Sequence, residues 1–136
     1  MNSTTSTSDA SGPRAVAVAY VEAVGRHDLD TVSDLLAEDA TARMAGVEST
    51  KPEWLAALGR LLPALERNEI RHASADGDTA CIVYDFVTNT PAGAVACVEV
   101  VKSSGGRIHG IELIFDRVAF APVNQVLNER ANAATE

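Results

Sequence analysis

Ala19-Tyr20-Val21-Glu22-Ala23-Val24, then Gly25-Arg26-His27, then Asp28-Leu29-Asp30 and on to Leu35-Leu36-Ala37-Glu38-Asp39-Ala40-Thr41, is the stretch whose reading decides the fold. Val16, Tyr20 and Val24 recur every fourth residue with Val21 beside them, which gives a helix one apolar face. Ser11-Gly12-Pro13 opens that helix, with Pro13 suited to its first turn, and Gly25 ends it. Asp28 is placed to cap a second helix whose inner face carries Leu29, Val32, Leu35 and Leu36. A short strand is expected over Thr41–Met44, ending at Gly46.

Downstream, Thr50 and Glu53 form a capping-box pair before a third helix bearing Trp54, Leu55, Leu58, Leu61, Leu62 and Leu65, which Pro63 should kink or end. The pattern then turns to strands: a weak one over Ile70–Ala75, a turn at Asp76-Gly77-Asp78, and strong ones over Ala80–Val87 and Ala94–Val101. Ser103-Ser104-Gly105-Gly106 turns the chain into a last strand from Arg107 to about Val118. Three helices followed by an antiparallel meander predict an α+β domain with helices on one face of a curved sheet. Residues 1–12 are expected as a disordered tail, 13–122 as the domain, and 123–136 as a C-terminal tail, a frayed helix at most.

The chain has 136 residues and a net charge of −8. Its 11 Lys and Arg are scattered singly, which argues against a nucleic-acid partner. No apolar run is long enough to span a membrane, and the opening residues lack the pattern of a signal peptide, so a cytoplasmic location is expected. Cys81 and Cys97 are too few for a disulfide framework, and His27, His72 and His109 show no metal-ligand spacing. No metal and no cofactor are expected. Strands Cys81-Ile82-Val83-Tyr84 and Val95-Ala96-Cys97-Val98 are apolar on both faces, which predicts a homodimer across the face the helices leave open.

This order of elements resembles the nuclear transport factor 2-like superfamily, which includes SnoaL-like polyketide cyclases, ketosteroid isomerase and limonene epoxide hydrolase. The stretch quoted at the outset is similar to the opening of bacterial ketosteroid isomerases. Gly106-Arg107-Ile108 followed by Leu113-Ile114-Phe115-Asp116 is similar to the closing strand of SnoaL-like proteins. The resemblance implies a cone-shaped fold, N-terminal helices packed on a curved antiparallel sheet, with a ligand held in its open end. Carried over from the isomerases, the oxyanion-hole tyrosine falls on Tyr20 and the hydrogen-bond-donating acid near Glu99. The general-base position falls on Met44, which takes no proton. Carried over from the epoxide hydrolase, Asp85 matches one aspartate, supported by Pro91 and Gly93. Val83 and Leu113 stand where that mechanism needs an arginine and a second aspartate.

Strand parity then builds a candidate pocket. Asp85 pointing inward brings Cys81, Val83 and Val87 with it and turns Tyr84 and Phe86 away. Glu99 pointing inward brings Val95, Cys97 and Val101, and the last strand adds His109, Ile111, Leu113 and Phe115. Tyr20, Asp85, Glu99 and His109 are therefore the candidate catalytic groups. Met44, Trp54, Leu58, Val83, Cys97, Leu113 and Phe115 are the candidate ligand-binding groups. Burial among valines raises a carboxyl's pKa, and two neighbouring acids divide into donor and acceptor. Each residue also has a plainer reading. Asp85 fits a strand-end rim, Glu99 a salt bridge with Arg43, His109 a strand edge, and Tyr20, Trp54 and Met44 core packing. The function expected is binding of a small hydrophobic molecule of polyketide, terpenoid or steroid-like type. Metal-free isomerase, cyclase or hydrolase chemistry stays open beside non-catalytic binding and a dimeric scaffold.

Overall fold

A computed structural model describes residues 12–135. The expected tail at 1–12 therefore lies outside the described residues, Gly12 excepted. Helix α1 (Pro13–Gly25) buries Val16, Ala17, Tyr20, Val21, Ala23 and Val24, the face its four-residue spacing predicts. Helix α2 (Leu29–Leu35) starts at Asp28, whose carboxylate accepts from the Thr31 amide at 3.1 Å. The chain passes directly into β1 (Leu36–Met44), so the strand starts earlier than expected and Leu36 is a buried strand residue. A hairpin leads to β2 (Val47–Thr50), then to α3 (Lys51–Leu61), which has the expected Thr50–Glu53 capping box. The ammonium of Lys51 donates to the Leu36 carbonyl at 3.0 Å and ties the start of α3 to β1.

Pro63 ends α3 in a 3₁₀ turn, Leu62–Ala64, because its ring and missing N–H forbid the next helical bond. Strands β3 (Leu65–Asp76), β4 (Thr79–Thr88), β5 (Ala94–Ser104) and β6 (Arg107–Phe115) follow as consecutive antiparallel hairpins. The sheet order is β2-β1-β6-β5-β4-β3. One pair departs from the expected antiparallel sheet: β1 runs parallel to β6. Helix α3 carries the chain to the far edge, and three hairpin reversals bring β6 back beside β1 in the same direction. Register shifts in the β1–β6, β3–β4 and β5–β6 ladders mark bulges, which bend a sheet and curve it around α1.

The expected C-terminal tail is corrected. Residues Arg117–Thr135 form helix α4, with Pro122 inside it. Asp116 caps it by accepting from the amides of Val118 and Ala119 at 2.9 and 3.2 Å. Pro122 stands near the helix start and costs one bond, to Val118. Phe120, Val123 and Leu127, spaced three and four apart across the expected boundary, bury one face of α4. Arg60 of α3 clamps α4 by donating to Asn124 and Asn128 at 3.3 and 3.1 Å. Among the described residues, no helix is long and apolar enough to cross a membrane.

Candidate functional site

The inner face of β4 is Ala80, Ile82, Tyr84, Phe86 and Thr88, all buried; Cys81, Val83, Asp85 and Val87 lie on the other face, partly exposed. This reverses the expected parity for β4. On β5 the expectation holds: Val95, Cys97, Glu99 and Val101 are buried and face α1. Ile82 stands opposite Glu99 and Tyr84 opposite Cys97, so Tyr84 and Glu99 are diagonal neighbours on one face. The Tyr84 hydroxyl donates to Glu99 Oε1 at 2.6 Å.

Across the cone, Trp54 Nε1 on α3 donates to the Tyr20 hydroxyl on α1 at 2.8 Å, which leaves the Tyr20 proton free to be donated. Tyr20, Trp54, Tyr84, Asn68 and Glu99 line one small chamber of about 20 Å³, closed by Leu58, Leu61, Phe86 and Leu113. Asn68, on β3, gives its amide hydrogen to the Val21 carbonyl at 3.0 Å, which fixes its orientation. Gly25 makes this approach possible, since a Cβ there would lie 3.0 Å from the Asn68 backbone nitrogen.

Glu99 is 2% exposed, and among the described residues no cation pairs with it. Burial pushes its carboxyl from the usual range to about 7, with the Tyr84 hydrogen bond pulling the other way. Burial, then the Glu99 charge, raise both the Tyr20 and Tyr84 hydroxyls well above the ordinary phenol range. The same two causes push the buried Cys97 thiol to about 12, which makes it a packing group rather than a nucleophile. Arg43 does not reach Glu99; it pairs with Glu48 at 3.5 Å.

Asp85 and His109 do not join this chamber. Asp85 sits on the outer face, 3.3 Å from Arg71. His109 is the extra residue of the β5–β6 bulge: Lys102 faces Gly110 and Ser103 faces Ile108, so the strand's alternation shifts there. Its ring lies 3.6 Å from Asp39 at the surface, in an outer depression of about 370 Å³ with Arg43, Glu48, Lys102 and Glu112. Val83 is also on the outer face. Met44 and Phe115 line a larger space, a groove of about 780 Å³ at the mouth of the cone, with Ala57, Leu61, Val118 and Phe120. Phe120 packs edge-on against Phe86 and Phe115, with ring centroids 5.7 and 5.0 Å apart. It therefore links the groove wall to Phe86 of the chamber, and Leu61 borders both spaces.

Three groups escaped the sequence reading. Tyr84 was placed on the wrong face because β4 is apolar on both sides and Asp85 set the parity. The larger aromatic side chains, Tyr84 and Phe86, were the usable signal, since bulk seeks the core. Phe120 was legible through its spacing with Val123 and Leu127. Asn68 sits in a polar stretch and carries no local signal. Among the described residues no group of three or more His, Cys, Asp or Glu is arranged to hold a metal ion.

Comparison with known proteins matches residues 17–111 to the SnoaL-like domain family. No curated protein matches the chain in sequence. Among solved structures, it is similar to a protein from Kribbella flavida DSM 17836, with a TM-score of 0.76 at 23% identity over 89% of this chain and 99% of that one. A protein of ketosteroid isomerase-like fold from Catenulispora acidiphila DSM 44928, in complex with trimethylamine, gives 0.68 at 18% identity, covering 80% and 92%. A candidate polyketide cyclase from Sinorhizobium meliloti gives 0.61 at 21% identity, covering 73% and 93%. These likenesses are of fold. With the family match covering most of its length and the cone described above, the chain belongs to the SnoaL-like domain family.

Proposed function

We propose that this chain binds a small hydrophobic molecule at the mouth of its cone, with the molecule's polar end directed at Glu99. One observation carries the reading: a carboxyl group without a cation is buried at the apex of an apolar cone and held by a phenol. An unpaired buried acid is costly, and no packing need explains it. The groove of about 780 Å³ supplies the apolar surface, and its volume suits a compact polycyclic or branched ligand. The fold likeness to a candidate polyketide cyclase and to a ketosteroid isomerase-like protein makes polyketides, terpenoids and steroid-like compounds the first panel to test.

Any turnover in this chamber rests on Glu99, because Asp85 and His109 face away from it. A carboxyl titrating at about 7 is poised to give and take a proton at neutral pH. Met44 lines the groove where the isomerase base would stand, so proton transfer from carbon to carbon has only Glu99 as its carrier. The second reading, a dimeric scaffold, is favoured by the small size of the chamber. A homodimer is part of our proposal in either case, through the outer-face residues Val83, Val98, Val100 and the 49%-exposed Ile114.

The test is displacement of 1-anilinonaphthalene-8-sulfonate from the full chain by that panel. Saturable displacement is expected, weakened about tenfold or more by Leu61→Trp, which enlarges the side chain that borders both groove and chamber. Absence of saturable binding, or binding indifferent to Leu61→Trp and Glu99→Gln alike, overturns the ligand-binding reading in favour of the scaffold.

A further inference from the structure

The chamber around Glu99 has a hydrogen-bonding polarity that constrains what enters it. Asn68 Oδ1 is buried and makes no hydrogen bond, one of two such side-chain oxygens among the described residues, the other being Ser103 Oγ. The amide cannot turn over to present its nitrogen instead. Its Nδ2 already donates to the Val21 carbonyl, and reversal would set two acceptors against each other. Glu99 Oε1 is taken by Tyr84, which leaves Oε2 without a protein donor among the described residues. The Tyr20 hydroxyl, its oxygen already occupied by Trp54, has a proton to donate, and Glu99 is a second donor whenever it holds its own proton. A space of about 20 Å³ admits a single non-hydrogen atom.

Resting on the ligand-binding reading above, we infer that the buried end of the ligand is a one-atom hydrogen-bond donor, a hydroxyl or a primary amine, seated between Asn68 Oδ1, Glu99 and Tyr20. A hydroxyl donates to Asn68 or Glu99 while accepting from Tyr20. An amine donates to both acceptors, and the surrounding rings of Tyr20, Trp54 and Tyr84 suit a cationic form. A ketone accepts from Tyr20 but leaves Asn68 Oδ1 unpaired. A buried acceptor left unpaired by the wrong ligand weakens binding by about tenfold or more. The unpartnered Asn68 oxygen thus selects against the carbonyl group that a donor-only oxyanion hole would favour.

The experiment uses cyclohexanol, cyclohexylamine and cyclohexanone, three probes with one ring and different heads, titrated into the ¹⁵N-labelled full chain. The chain's single tryptophan makes the Trp54 indole N–H an unambiguous reporter of the chamber. Amides of Val118 and Ala121 report the groove. Cyclohexanol and cyclohexylamine are expected to shift the indole signal and bind about tenfold tighter than cyclohexanone, and their ranking identifies the head. Asn68→Leu should erase that preference. Measured at about pH 8.5, where Glu99 is charged, Glu99→Gln adds a donor and should improve the ketone relative to the alcohol, and it serves if Asn68→Leu does not fold. A ketone bound as tightly as the alcohol overturns the inference. Shifts confined to Val118 and Ala121 overturn it while leaving ligand binding at the groove intact. No shift at either reporter overturns both.

Discussion

Strands β4 and β5 present two faces of similar apolarity, and each face carries one carboxylate. On the outer face Asp85 meets Arg71 at 3.3 Å and keeps 29% of its side chain in solvent. On the inner face Glu99 meets only a tyrosine hydroxyl and keeps almost none. Apolar residues flank both acids in the chain, Tyr84 and Phe86 beside Asp85 and Val98 and Val100 beside Glu99. Asp85 has a partly exposed ion pair, which contributes little to stability. Glu99 has lost water without gaining a cation, so its charged form is disfavoured near neutral pH. The face a residue occupies, rather than its neighbours in sequence, sets whether a carboxylate is a surface charge or a candidate acid–base group.

Three measurements break or sharpen this contrast. The largest effect is expected from the apolar neighbours on β4. Ile82→Ala removes a side chain with no exposed surface and should cost about 2–5 kcal/mol in urea unfolding. Val83→Ala on the outer face should cost the monomer much less. Equal losses would mean that the outer face is as tightly covered as the inner one, the result a tight dimer gives.

Next is the pH dependence attached to Glu99. Its folded pKa of about 7 lies above the reference of 4.5, so the folded chain holds this proton more tightly than the unfolded chain. Stability from this group is therefore present at low pH, falls as pH rises between those values, and stays lost above them. Relative to Glu99→Gln, the wild type should lose up to about 3 kcal/mol across that window. A difference between the two proteins that stays flat with pH would show that Glu99 is solvated or paired in solution. The smallest effect belongs to Asp85→Asn, expected below about 1 kcal/mol by the same denaturation assay. A loss of several kcal/mol there would erase the contrast by making the Arg71 pair a buried one.

Helix α1 was legible because Val16, Tyr20 and Val24 repeat with the helical period and Pro13 and Gly25 bound it. Helix α3 was legible through its Thr50–Glu53 box. Glu99 stood out because an acid inside an uninterrupted valine strand demands an explanation. Parity was the weak link: β4 is apolar on both sides, and period-two alternation alone cannot say which set faces the helices. At His109 the bulge inserts a residue, so counting outward from Phe115 reaches the wrong side of the sheet. Helix α4 was obscured by Pro122, read as a stop although the helix carries it at the cost of one bond.

The sequence by itself determined the order of the first three helices and of strands β1 and β3 to β6, the curved α+β architecture, and the presence of one unusual acid on β5. Local periodicity, caps and turn residues encode these within a few neighbours along the chain. Tertiary structure alone decided that β1 and β6 run parallel, that Tyr84 rather than Asp85 accompanies Glu99, and that Asn68, with its buried unpartnered oxygen, lines the chamber. Those contacts join residues far apart in the chain, from Tyr84 with Glu99 at 15 positions, through Val21 with Asn68 at 47, to Leu36 with Ile108 across the β1–β6 pair. They depend on sheet register, bulge placement and helix docking, which the packing of the whole chain settles together.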